Sequence, residues 1–257
     1  MKTNHVKTKL KQGEVSLGAW LNFPSLDTAR LMGWQGFDWL TIDMEHGAFN
    51  STNMSHIVAA VMETGTTAPI VRVPDKSPEW FKWALDAGAW GIIVPQVNNR
   101  QEAENIVNWS KYAPQGNRSL GGIFASYTFG TTDKTEYFTE ANNEIMLIVQ
   151  IETADGLANV EDILSVPGLD VAFVGPNDLH CALGLPPSSE GAEPEFEAAL
   201  AKIKAAAKRN NLAVGMFSSN GEAAARRAQE GFQMISITTD VWCLASGATQ
   251  NLKAARG

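Results

Sequence analysis

Two stretches, Ile145-Met-Leu-Ile-Val-Gln-Ile-Glu-Thr153 and Leu169-Asp-Val-Ala-Phe-Val-Gly-Pro-Asn-Asp178, share one grammar. Each is an apolar run of strand length that ends in polar residues and leads into a helical pattern. Strands covered on both faces read this way, because helices pack on each side of a parallel sheet. If the two strands are parallel and adjacent, Glu152 and Asp178 leave the same end of one sheet. The Gly175-Pro176 bend lets backbone come close to a small ligand there.

Working outward, the unit recurs. Val15–Leu21, Phe37–Met44, Ala68–Val73 and Gly91–Val97 read as strands before this pair, and Leu212–Phe217 and Phe232–Thr238 after it. Helical patterns lie between them. Ser25 caps one that runs to Trp34; others are Thr52–Glu63, Pro78–Ala87 and Gln101–Lys111. Gly156–Leu164, a short helix around Leu179, Glu195–Lys208, Gly221–Gln229 and a last helix from Val241 complete the set. About eight βα units in series predict an α/β protein, a (β/α)8 TIM barrel with a parallel eight-stranded core, as a single domain over residues 1–257. A doubly wound sheet shares the alternation but does not need eight uniform units. Tyr112–Asn143 reads as a long irregular segment, the usual form of a lid or binding loop. Pro186, Pro187 and Pro194 mark a second insert.

The chain has 257 residues, 44% hydrophobic, and a net charge of −8. That length and composition support one large core. The acidic balance, without basic runs, argues against a nucleic-acid partner. Cys181 and Cys243 lack metal or redox spacing and read as inert thiols of a reducing compartment. The polar N-terminus, with His5 in a tail, has no signal-peptide core, and no segment is apolar enough to span a bilayer, so a soluble cytoplasmic protein is expected.

In a barrel the C-terminal strand ends carry the chemistry. Those positions hold Asp43, Glu45, His46, Arg72, Gln96, Gln150, Glu152, Asn177, Asp178 and Asp240. Glu152 and Asp178 could hold Mg²⁺, Mn²⁺ or Co²⁺ with room left for water and substrate, or could be solvated carboxylates at helix N-termini. His46, after a strand and among acids, suits proton transfer near neutral pH. His56 and His180 read as structural. Arg72 in an apolar strand needs a carboxylate partner or an anionic ligand; Asp43 and Glu45 are candidates, and both roles can coexist. Asp86 ends a helix, where the dipole disfavours an acid, so it reads either as paired with a specific partner such as His46 or as an ordinary exposed carboxylate. Arg118 reads as a brace for the long segment. No strand end carries lysine, which steers carbonyl chemistry away from a Schiff base and towards metal activation.

The motifs Phe37-Asp-Trp-Leu-Thr-Ile-Asp43-Met-Glu-His46-Gly, Val71-Arg72-Val-Pro, Leu85-Asp86-Ala-Gly-Ala, Gly91-Ile-Ile-Val-Pro95-Gln-Val, Gln150-Ile-Glu152-Thr and Gly175-Pro-Asn-Asp178-Leu together resemble the HpcH/HpaI family of class II pyruvate aldolases, from Gly18 to the last helix. The resemblance implies a metal held by Glu152 and Asp178, with His46 as acid/base and Asp86 raising its basicity. It implies Arg72 stabilising the enolate, and Gln150, Asn177 and Asp178 binding the pyruvate end. It further implies reversible cleavage of a 4-hydroxy-2-oxoacid to pyruvate and an aldehyde through a metal-bound pyruvate enolate. The implied assembly is a homohexamer, a trimer of dimers with exchanged C-terminal helices. Ser119 stands where many members have Gly, His180 departs from the commoner small residue, and Thr239-Asp-Val-Trp242 looks closer to the macrophomate synthase branch. Oxaloacetate decarboxylation through the same enolate, with further C–C bond formation, and a non-catalytic metabolite-binding barrel are therefore alternatives. A CoA-ester lyase finds no basic patch for its phosphates. Leu120–Thr132 and the exchanged helix are expected to shape the aldehyde pocket.

Overall fold

The computed structural model describes residues 1–122 and 124–257. Eight parallel strands close a barrel in chain order. They are β1 Ser16–Leu21, β2 Trp39–Asp43, β3 Ala68–Arg72, β4 Gly91–Val94, β5 Met146–Ile151, β6 Val171–Val174, β7 Ala213–Phe217 and β8 Met234–Thr239. Every residue of β2, β4, β5 and β6 is buried, the outcome their near-continuous apolar runs predict. The TIM barrel is therefore as expected.

Helices cover the barrel. Between β1 and β5 these are α2 Leu26–Gly33, α3 Ser51–Glu63, α4 Pro78–Asp86, α5 Arg100–Ser110, α6 Ala125–Thr128 and α7 Lys134–Glu144. After β5 come α8 Ala154–Ala158 and α9 Val160–Leu164, then α10 Pro176–Ala182, α11 Pro194–Arg209, α12 Gly221–Gln229 and α13 Asp240–Arg256. Ser25 does cap α2, accepting from the Thr28 N–H.

Register fixes what meets inside. Asp43 lies opposite Arg72 across β2 and β3, and Gln150 lies opposite Phe173 across β5 and β6. Phe173 in turn lies opposite Gly215, where any Cβ would run into its ring. Glycine in β7 thus makes room for a large aromatic in the barrel interior.

Three expectations need correction. The polar tail is a helix, α1 His5–Lys11, capped by the Asn4 side chain. Its buried Val6 and Leu10 stand four apart, one turn, a signal masked by the lysines between them. Segment 112–143 is not structureless, since it holds α6 and α7. Asp133 caps α7, which buries only Tyr137 and Ala141, too little apolar content to announce itself. The fourth strand ends at Val94 rather than Val97, because Gln96 turns into the left-handed region at φ 51°. The expected aldehyde loop Leu120–Thr132 includes Ile123, which lies outside the described residues. Among the described residues no helix is long and apolar enough to cross a membrane.

Candidate active site

The C-terminal mouth of the barrel opens into a cavity of about 350 Å³ lined by, among others, His46, Arg72, Gln150, Glu152, Asn177 and Asp178. Of the positions named from the sequence, Asp43, His46, Arg72, Gln150, Glu152, Asn177 and Asp178 are on that wall, whereas Glu45, Gln96, Asp240 and Asp86 are not.

Arg72, the last residue of β3, is clamped by its neighbours. Its Nε and Nη2 donate to Asp43 Oδ1 and Oδ2 at 2.8 and 2.7 Å, a bidentate pair, and Nη1 stands 2.9 Å from Glu45 Oε2. The guanidinium also lies over Trp20, 4.4 Å from the ring centroid. Asp43 does further work: Oδ1 accepts from the backbone N–H groups of Glu45 and His46, and Oδ2 from Asn22 Nδ2. One buried carboxylate thus sets both the guanidinium and the turn that carries His46.

Glu152 follows β5 and is 3% exposed, unusually deep for a carboxylate. Its Oε1 accepts from the Gln96 N–H at 2.9 Å, and its Oε2 from Gln150 Nε2 at 2.7 Å. Burial pushes its pKa up to about 7; the Gln96 N–H opposes the rise, while the Asp178 and Glu45 carboxylates add to it. Asp178 stands in the first turn of α10, after Pro176 at the helix start. At Gly175 any Cβ would overlap Glu152 Oε2.

The donor set fits a hard divalent cation. Two carboxylates share one cavity, each Glu152 oxygen keeps a lone pair beyond its hydrogen bond, and a cation would relieve the crowded negative charge. Among the described residues no group of three or more His, Cys, Asp or Glu is arranged around a metal position.

A model of the HpcH/HpaI aldolase/citrate lyase family matches residues 16–246. The chain belongs to that family. It is 36% identical over 257 residues to a 4-hydroxy-2-oxovalerate aldolase from Novosphingobium aromaticivorans, covering 97% of this chain and 94% of the relative. A solved family structure from Burkholderia cenocepacia J2315 superposes with a TM-score of 0.91 at 33% identity, over 99% of this chain and 100% of that one. Macrophomate synthase superposes with a TM-score of 0.88 at 26% identity, over 99% of this chain and 89% of that one.

Some residues read from the sequence stand elsewhere in this HpcH/HpaI barrel. Asp86, the last residue of α4, accepts from Arg118 Nη2 at 2.8 Å rather than from His46. Arg118 is buried and stacks on Tyr112, 4.6 Å from the ring centroid, so it does brace the loop. Asp240 accepts from the backbone N–H groups of Asn22 and Phe23, tying α13 to the end of β1. His180 is buried, stacked on Phe196, with Nδ1 2.6 Å from Pro176 O. Sequence reading missed the apolar wall of Trp20, Phe173 and Phe217 and the neutral polar Asn22 and Thr239. Trp20 meets the two phenylalanines edge-on at 6.0 and 6.5 Å. Charge does not reveal them, but position does: Trp20, Phe217 and Thr239 stand at or next to the ends of β1, β7 and β8.

Proposed function

We propose that this protein is a carbon–carbon lyase that reversibly cleaves a 4-hydroxy-2-oxoacid to pyruvate and an aldehyde, with a divalent cation, Mg²⁺, Mn²⁺ or Co²⁺, held by Glu152 and Asp178. The observation that carries this reading is the convergence of His46, Arg72, Gln150 and the two carboxylates on one small cavity. Membership of an aldolase family and the similarity to a 4-hydroxy-2-oxovalerate aldolase support it.

When bound, the cation supplies Lewis-acid polarisation of the 2-oxo group. The chain does the rest. Gln150, Asn177 and Asp178 bind and orient the 2-oxo acid end. His46 takes the proton of the 4-hydroxyl, directly or through a water, and the C3–C4 bond breaks. Arg72 offers its remaining N–H groups to the developing enolate oxygen; because Asp43 and Glu45 already hold it, no reorganisation is needed at that moment. The proton taken up by His46 then passes to C3 of the enolate, directly or through a water, to give pyruvate; in the synthetic direction a methyl proton leaves by the same route and His46 returns it to the 4-alkoxide. Asp86, the support for His46 that the family resemblance implies, is paired with Arg118 within this chain.

The apolar residues of α13 support a homohexamer with exchanged C-terminal helices: of its residues only Asp240 is buried, while Trp242, Leu244 and Leu252 are exposed. The two free cysteines support a reducing, cytoplasmic setting.

The test is exchange of pyruvate methyl protons into deuterated water. It should require added divalent metal and fall by about 100-fold or more in His46→Ala; exchange that survives metal removal sinks the reading. The alternative, oxaloacetate decarboxylation through the same enolate, draws on the likeness to macrophomate synthase. Carbon dioxide release from oxaloacetate that outpaces cleavage of every 4-hydroxy-2-oxoacid offered would favour it.

A further inference from the structure

Gln96 is one of two residues other than glycine with positive φ among the described residues, at 51°, a region that L side chains enter at a cost. Its own side chain is exposed and explains nothing. Its backbone is what matters: the N–H is aimed at Glu152 Oε1, 2.9 Å away. The opposite face of the same residue is held as well. Lys76, on the loop after β3, donates from Nζ to the Gln96 carbonyl at 2.7 Å. The same ammonium pairs with Glu102 Oε2 at 2.9 Å, and Glu102 Oε2 accepts the Asn98 N–H at 2.8 Å. A closed set of contacts therefore surrounds the loop after β4; it reaches the cavity through the hydrogen bond to the Glu152 side chain, beside a backbone bond from the Val97 N–H to the Gln150 carbonyl at 3.2 Å.

We propose that Lys76 is a positioning residue for the cation site: by holding the Gln96 carbonyl it keeps the strained turn in place, so that the Gln96 N–H fixes the rotamer of Glu152. This rests on the reading of Glu152 as a metal ligand. Groups that orient a ligand shift metal affinity although they never touch the metal. The sign of the effect separates this role from simple electrostatics. Removing a nearby cation favours binding of another cation; removing the clamp disfavours it, because the ligand is no longer pre-oriented.

The experiment is titration of metal-free protein with Mn²⁺ alone by calorimetry, comparing wild type, E152Q, K76M and K76R, with thermal midpoints measured without metal. Lys76→Met should raise the Mn²⁺ Kd by about 10-fold, the lower end for an outer-shell partner, and Lys76→Arg should recover most of that loss. In a Gln96→Gly background the left-handed turn costs little, so the same K76M change should raise Kd by a smaller factor. Unchanged or tighter Mn²⁺ binding in K76M, or an equal loss in both backgrounds, overturns the assignment. Should K76M fail to fold, E102Q loosens the same clamp from its other side and should also weaken binding. Failure of wild type to bind Mn²⁺, or full affinity in E152Q, sinks the metal reading and this inference together; wild-type binding matched by K76M sinks this inference alone.

Discussion

At the residue scale the site is organised by what its charges are allowed to reach. Arg72 has two of its donors fixed on Asp43 and is ion-paired through Nη1 with Glu45, so its orientation is set before substrate arrives. Arg72→Lys keeps the charge but loses the fork. Proton exchange of pyruvate should therefore fall by about 100-fold or more, with thermal stability measured alongside to separate folding from chemistry. Gly175→Ala places a methyl where Glu152 Oε2 now sits. Mn²⁺ affinity in that variant should drop by at least about 10-fold, read by calorimetry. The charged residues of the site were legible because several carboxylates, a histidine and a guanidinium gather at the ends of apolar strands, a concentration that solvated helix-terminal acids do not account for. Trp20 and Phe173 were not, since an aromatic in an apolar run reads as core, and both are indeed buried.

At the element scale, the barrel strands were legible and the helices outside the repeating rhythm were not. β5 and β6 announce themselves because all their residues are buried and apolar apart from Gln150. α1 and α7 hide because each buries only one or two apolar side chains and takes its stability from tertiary partners. Asn4 illustrates this: it caps α1 and also donates from Nδ2 to Trp90 O at 3.1 Å and Glu144 O at 2.9 Å. The pairing of Asp86 with Arg118 was equally hidden, for it joins residues 32 apart through a loop no periodicity predicts. The junction of α13 with β1 gives a test. Asp240 is buried and accepts the backbone N–H groups of Asn22, Phe23 and Val241, which its loss would orphan. Asp240→Ala should cost about 1–3 kcal/mol of stability, measured by urea denaturation.

At the scale of the whole molecule, two surfaces define its behaviour: an apolar outer helix and a sealed floor. If α13 is exchanged between subunits, replacing Trp242 and Leu244 with Glu together should release smaller species, detected by light scattering, while circular dichroism keeps the barrel signature. On the floor, Lys111 is buried with Nζ on the Asn142 and Ile145 carbonyls, at 2.7 and 2.8 Å. Burial lowers its pKa to about 7, with Lys7 adding to the fall. Above that pH the folded chain carries a neutral amine while the unfolded chain keeps its proton to near 10.5. Fewer protons bound in the folded state means that this lysine's contribution to stability grows as pH rises through that window and fades as pH falls to 7. Denaturation of wild type and Lys111→Met between pH 7 and 10 should differ in slope by at most about 1.4 kcal/mol per pH unit. The same floor carries Lys7 bonded to Asp170 at 3.0 Å and to the Ile145 carbonyl at 3.1 Å, whereas the candidate active site opens at the opposite rim. Robustness and reactivity are thus housed at opposite poles of one cylinder. An engineer could harden the base against heat, or lineages could let it drift, without retuning the reaction overhead.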